Sequence, residues 1–237
     1  MMPETEIVDE VIQRVDAWFS RRFDRLARLA TQLIDVTALD ADGHIEITEA
    51  ARKRLKSVAV RYLAEDETVD GCGLIIAQSA LGTEIGDLEW WVREEESRFA
   101  RYSFGVVPGA DRYYDYSHHE WFTRAFVDGE TAIVGPYIDY LGIEAYVVTI
   151  TVPAEIDGTR IGAVGNDLQV ADLEAALLPE LLRAPAEIAL IGARGTVLFG
   201  TSSRFVSGDY VAPELDGFRS VAVGPSGAGL RIVVPSA

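Results

Sequence analysis

Tyr146-Val147-Val148-Thr149-Ile150-Thr151-Val152-Pro153 runs into Asp157-Gly158 and returns as Arg160-Ile161-Gly162-Ala163-Val164-Gly165. The first arm is β-branched almost throughout, and an Asp-Gly pair suits the left-handed backbone of a tight hairpin turn. The pattern predicts an antiparallel hairpin, and the rest of the chain is read outward from it.

Toward the N-terminus, Leu74-Ile75-Ile76-Ala77 and Leu88-Glu89-Trp90-Trp91-Val92 are short apolar runs bounded by glycine, the texture of strands. Arg98 to Val107 is a further extended segment, and the turn Asp128-Gly129 precedes Ala132-Ile133-Val134-Gly135-Pro136-Tyr137-Ile138-Asp139. Residues 6 to 36 read as one amphipathic helix, with Val8, Ile12, Val15, Phe19, Leu26, Leu29, Leu33 and Val36 at spacings of three, four or seven. Such a helix runs about 45 Å, longer than a small domain is wide. Part of its apolar stripe is therefore expected to pack on a second copy; the alternative is that the whole stripe packs within one chain. Thr48 caps a second helix through about residue 63.

Toward the C-terminus, Val170 to Leu182 is helical by the same spacing rule, and Pro185 closes it. Four short strands follow: Ile188–Ile191, Thr196–Phe199, Ser220–Val223 and Leu230–Val234. The order of helices, sheet, helix and smaller sheet is an α+β pattern. Three parts are expected: an N-terminal helical segment over 1–66, a core over 67–183 and a smaller β-rich appendage over 184–237.

The 237 residues carry a formal net charge of -17. That field repels phosphate backbones and anionic headgroups, so neither nucleic acid nor a membrane surface is an expected partner. One cysteine, Cys72 between two glycines, precludes an intramolecular disulfide and reads as a small core residue. The N-terminus lacks the basic flank and apolar run of a signal peptide, and no apolar stretch approaches a membrane span. A cytoplasmic location is expected for a whole protein, an extracytoplasmic one for a sensor domain cut from a longer chain.

Residues 112–122 read Arg-Tyr-Tyr-Asp-Tyr-Ser-His-His-Glu-Trp-Phe, a composition far from the glycine and serine of a plain loop. Side chains this large, each with an apolar body, either pack on the sheet or wall a cavity. Trp121-Phe122-x-x-Ala125, Gly135-Pro136-Tyr137-Ile138-Asp139, Val148-Thr149-Ile150-Thr151-Val152-Pro153, Asp157-Gly158 and Ile161-Gly162-Ala163-Val164-Gly165-Asn166-Asp167-Leu168 follow in order. This ordered set resembles the core of Cache sensor domains. The likeness is close over about 110–180 and looser outside it, as in a first module followed by a partial second one.

The resemblance implies a PAS-like antiparallel sheet with a small-molecule cavity between its face and residues 110–127. It assigns the aromatic pair to Trp121 and Phe122, the strand tyrosine to Tyr137, and the two acids to Asp139 and Asp167. Amino-acid-binding members of the family carry an arginine two residues before the tryptophan. Here that place is His119, so the bidentate fork for a ligand carboxylate is missing. The expected ligand-binding set is Trp91, Tyr114, Tyr116, His119, Trp121, Phe122, Tyr137, Asp139, Thr149 and Asp167. Carboxylates among ring faces suit an ammonium group, so an amine-bearing or amino-acid-like metabolite is expected.

Asp115-x-x-His118-His119-Glu120 lacks the spacing that puts two imidazoles on one helical face, and Gly162 and Gly165 open no helix, so no metal and no cofactor is expected. Two other readings compete with a sensor. One is a small-molecule enzyme using His119, Asp115 and Asp139 as acid–base groups; the other is a dimerisation domain with a filled core and no ligand.

Overall fold

The computed structural model describes residues 3–95, 97–103, 105–109, 113–138, 145–212 and 214–236. In chain order the elements are α1 (Glu4–Ile34), α2 (Glu49–Ala64), β1 (Gly71–Ile76), the single turn α3 (Gln78–Leu81), β2 (Asp87–Glu95) and β3 (Arg98–Tyr102). A crossing segment with α4 (Glu120–Thr123) leads to β4 (Ala132–Ile138), β5 (Tyr146–Ile156), β6 (Thr159–Gln169) and α5 (Val170–Leu181). Strands β7 (Ala189–Ile191), β8 (Val197–Gly200), β9 (Phe218–Ala222) and β10 (Arg231–Pro235) follow.

The hairpin of β5 and β6 forms as its sequence demands. Asp157 at φ 49° and Gly158 at φ 80° make its turn, the conformation for which glycine and small polar residues are suited. Around it grows a six-stranded antiparallel sheet in the order β3-β2-β1-β6-β5-β4. A second sheet, β8-β7-β10-β9, completes the α+β architecture.

Side chains alternate across the sheet, so each strand feeds two different layers. Cys72, Leu74, Ile76, Ile150, Val152, Val164 and Leu168 face the helices and join one large core. Ile75, Leu88, Trp90 and Ala163 face the other way, under the crossing segment. Cys72 is fully buried, and burial pushes its thiol pKa well above the ordinary range, as suits a core residue without a nucleophile's role.

The long helix does not leave its stripe for a second copy. Val8, Ile12, Val15, Phe19, Leu26, Leu29 and Leu33 are all buried within the single chain, and only Val36 is half-covered. The length of α1 has a different use: it lies across β5 and β6 of the six-stranded sheet, between α2 and α5, and its first half also reaches the C-terminal part. Its first half meets the C-terminal sheet, where Arg219 pairs with Asp9 at 2.9 Å and the Gly224 amide donates to Asp16 at 2.8 Å. Its second half meets the entry to β1, where Arg22 and Arg25 pair with Asp66 at 3.0 and 2.5 Å. The apolar stripe is therefore packed within the single chain.

Asp66 holds α1 to the turn between α2 and β1. Burial alone would raise its pKa, but the Thr68 hydroxyl and amide with the two guanidiniums outweigh it and hold the carboxyl below the usual range. A depressed folded-state pKa contributes stability that is present above the unfolded value and lost as pH falls through the folded one. Asp66→Asn is expected to cost about 1–3 kcal/mol near neutrality. Urea titrations of the two proteins should converge as pH drops below about 4.

Candidate ligand-binding site

The crossing segment is pinned to the sheet by hydrogen bonds that its own residues dictate. Asp115 accepts from the Ser117 amide at 3.1 Å and hydroxyl at 2.5 Å, closing the short turn Tyr116–His118, while its second oxygen meets His118 Nδ1 at 2.8 Å. The Tyr116 hydroxyl donates to the Ile76 carbonyl at 2.5 Å, and its ring lies against Gly86, where a Cβ would come within 2.3 Å of the hydroxyl oxygen. Thr151 Oγ1 donates to the Trp121 carbonyl at 2.8 Å, seating α4 on β5. Arg160 donates to the carbonyls of Phe126 and Val127, which close the wide helical turn Arg124–Asp128.

Beneath this segment lies a cavity of about 40 Å³ lined by Ile75, Leu88, Trp90, Tyr114, Trp121, Tyr137, Thr149 and Asp167. Six of these come from the sheet and two, Tyr114 and Trp121, from the crossing segment. Four rings form the walls and one carboxylate lies among them; among the described residues no lining side chain is cationic. Thr149 Oγ1 donates to Asp167 Oδ1 at 2.6 Å. A threonine hydroxyl has one proton, so Tyr137 is the donor in its own close contact with Thr149. The relay Tyr137 to Thr149 to Asp167 thus crosses β4, β5 and β6 and orients the carboxylate. Thr149 stands opposite Asp167 in the β5–β6 ladder, which is why the two meet.

His119 stands just outside this wall. Its ring stacks on Trp121 with centroids 5.4 Å apart and 17° between planes, and lies 5.1 Å from the Tyr114 ring. Burial against these rings lowers its pKa, so the imidazole is held neutral at pH 7. It does not line the cavity.

The expected set therefore divides. Tyr114, Trp121, Tyr137, Thr149 and Asp167 meet at the cavity, with His119 behind Trp121. Tyr116 and Phe122 are buried supports, their rings edge-to-face at 5.2 Å, rather than lining groups. Trp91 is on the other face of the sheet, fully buried under the helices, and its neighbour Trp90 takes the cavity position. Asp139 lies outside the described residues. Ile75, Leu88 and Trp90 are the lining residues that sequence reasoning missed. Asn166 also faces away, donating to the Tyr62 hydroxyl at 2.7 Å.

Of the groups in the acid–base reading, Asp115 engages the cap and His118. Among the described residues no group of three His, Cys, Asp or Glu side chains is placed to hold a metal. No described helix is long and apolar enough to cross a membrane.

A family model described as methyl-accepting chemotaxis protein-like, first PDC sensor domain, matches residues 60–175. No curated protein matches the chain in sequence. Several solved structures share its fold. The sensory domain of the Campylobacter jejuni chemoreceptor Tlp3 has a TM-score of 0.62 at 13% identity, over 99% of this chain and 92% of that one. The ligand-binding domain of the Pseudomonas aeruginosa PAO1 amino acid chemoreceptor PctC, in complex with GABA, has a TM-score of 0.55 at 18% identity, over 94% of each chain. That of the Pseudomonas fluorescens chemoreceptor CtaA, in complex with L-serine, has a TM-score of 0.55 at 16% identity, over 95% and 92%.

Thr149→Val keeps the shape of the side chain but removes the hydroxyl that links Tyr137 to Asp167. The expected cost is about 1–3 kcal/mol of unfolding free energy, since polar groups buried around it lose a partner. Urea denaturation of the two proteins measures it.

Proposed function

We propose that the chain, whose residues 60–175 match the family model of the methyl-accepting chemotaxis protein-like first PDC sensor domain, is a non-catalytic sensor of a small amine-bearing metabolite. One observation carries the reading: the cavity has Trp90, Tyr114, Trp121 and Tyr137 for walls and Asp167 as its acid. An ammonium group gains an ion pair from the carboxylate and about 0.5–2 kcal/mol from each ring face it meets.

The ligands named with the similar structures, GABA and L-serine, each bear an ammonium. They also bear a carboxylate, and the arginine that grips it in amino-acid-binding members is replaced here by His119, neutral at pH 7. The reading accordingly places the ammonium end of the ligand in the cavity and leaves the other end near His119. A cavity of about 40 Å³ holds only a few waters, so a ligand enters as the crossing segment moves outward, and occupancy is coupled to that movement. The movement has a route onward: Glu120 on α4 pairs with Arg194 at 2.7 Å, and Arg124 donates to the Gly227 and Ala228 carbonyls of the C-terminal part. An extracytoplasmic position within a longer receptor goes with this function.

Titration calorimetry against amines, amino acids, quaternary ammonium compounds and simple carboxylates tests the reading. Heat of binding is expected for the amine-bearing compounds, with Asp167→Asn weakening them about 10- to 100-fold. Binding confined to carboxylates, or turnover of any bound compound, overturns it.

A further inference from the structure

A second cleft lies on the far side of the molecule, between α1 and α2, and its charge is opposite to that of the protein as a whole. Arg25, Arg28 and Gln32 recur at spacings of three and four and so share one face of α1. Arg61 and Tyr62 from α2 complete the walls, with Glu65 at the rim, around about 110 Å³. The ion pairs here balance two for two: Arg22 and Arg25 meet Asp66, and Arg25 also approaches Glu65 at 3.9 Å. Arg28 and Arg61 are then left over, and neither forms an ion pair among the described residues.

Arg28 and Arg61 thus bring two guanidiniums without a carboxylate partner among the described residues to one small cleft, in a chain with 38 acidic and 21 basic side chains. The floor adds no negative charge. Tyr62 stays neutral, since burial pushes its hydroxyl up to about 12, and that hydroxyl already accepts from Asn166. Its ring is stacked under the Arg25 guanidinium at 5.0 Å, which fixes one of the donors in place. Guanidinium forks and an amide lining one cleft offer donors to the tetrahedral oxygens of a phosphate-class anion.

We propose that this cleft between α1 and α2 binds a small free oxyanion of the phosphate class, held by Arg28 and Arg61 with Arg25 and Gln32 beside them. The site is separate from the aromatic cavity and does not depend on the function proposed for it. Because it joins the two helices that cover the sheet, its occupant clamps α1 to α2.

Thermal unfolding of the full chain in inorganic phosphate, against chloride at matched ionic strength, tests the proposal. Phosphate in excess is expected to raise Tm by about 2–4 °C. Arg28→Gln with Arg61→Gln should abolish that rise, while Arg21→Gln, an exposed arginine of α1 outside the cleft, should keep it. Both cleft arginines are exposed, so the variants should fold, and circular dichroism confirms that they have. Flotation with vesicles containing phosphatidic acid separates a headgroup from a free anion; binding to vesicles without a response to free phosphate overturns the proposal. So does an equal rise in the double variant, or no rise above chloride in the parent.

Discussion

The register in which β1 lies between β2 and β6 governs everything built on the six-stranded sheet. Cys72 is opposite Trp91 on one side and Asn166 on the other, which sets this row on the helix face. The rows on either side of it therefore face the cavity. A slip of one residue in β5 would exchange Thr149 for Ile150, burying a hydroxyl among leucines and putting an alkyl group beside Asp167. The large apolar core under α1 and α2 resists such a slip, since Ile150, Val164 and Leu168 would all leave it together. The same burial that stabilises the domain thus aims its polar relay.

With register set, the two faces of the sheet take different work. The helix face is closed by a long apolar helix, and its polar groups are tied in place: Glu89 is fully buried yet meets Arg52 at 2.7 Å and Arg101 at 2.8 Å. The opposite face is covered by a short segment with little regular structure, held through side-chain hydrogen bonds to carbonyls and by stacked rings. Such a cover is easier to displace than a helix with a continuous apolar stripe. A sheet that is rigid on one side and lightly roofed on the other is a physical basis for a domain that responds to what it holds.

Positive charge is distributed in the same divided way. Among the described residues the aromatic cavity has a carboxylate and no cation in its lining, while the cleft between the two long helices has guanidiniums in excess. A net charge of -17 describes neither place. Bulk charge governs long-range encounter, whereas a site works through the few groups that water cannot screen.

The sequence by itself determined the hairpin and the helices and pointed to Tyr114, Trp121, Tyr137, Thr149 and Asp167, which the fold brings to one cavity, because periodicity, Asp-Gly turn chemistry and an ordered motif are local properties. It could not say which of two adjacent tryptophans faces a cavity. Glu89 misleads there: a charged strand residue reads as the exposed face, and only α2 with its Arg52 makes that face the interior. Nor could it say that the stripe of α1 is filled within the same chain, since β5, β6 and α5 reach it from more than a hundred residues away. Which side of a strand is inside, and who covers a helix, are settled by burial among distant segments, and that information exists only once the chain has folded.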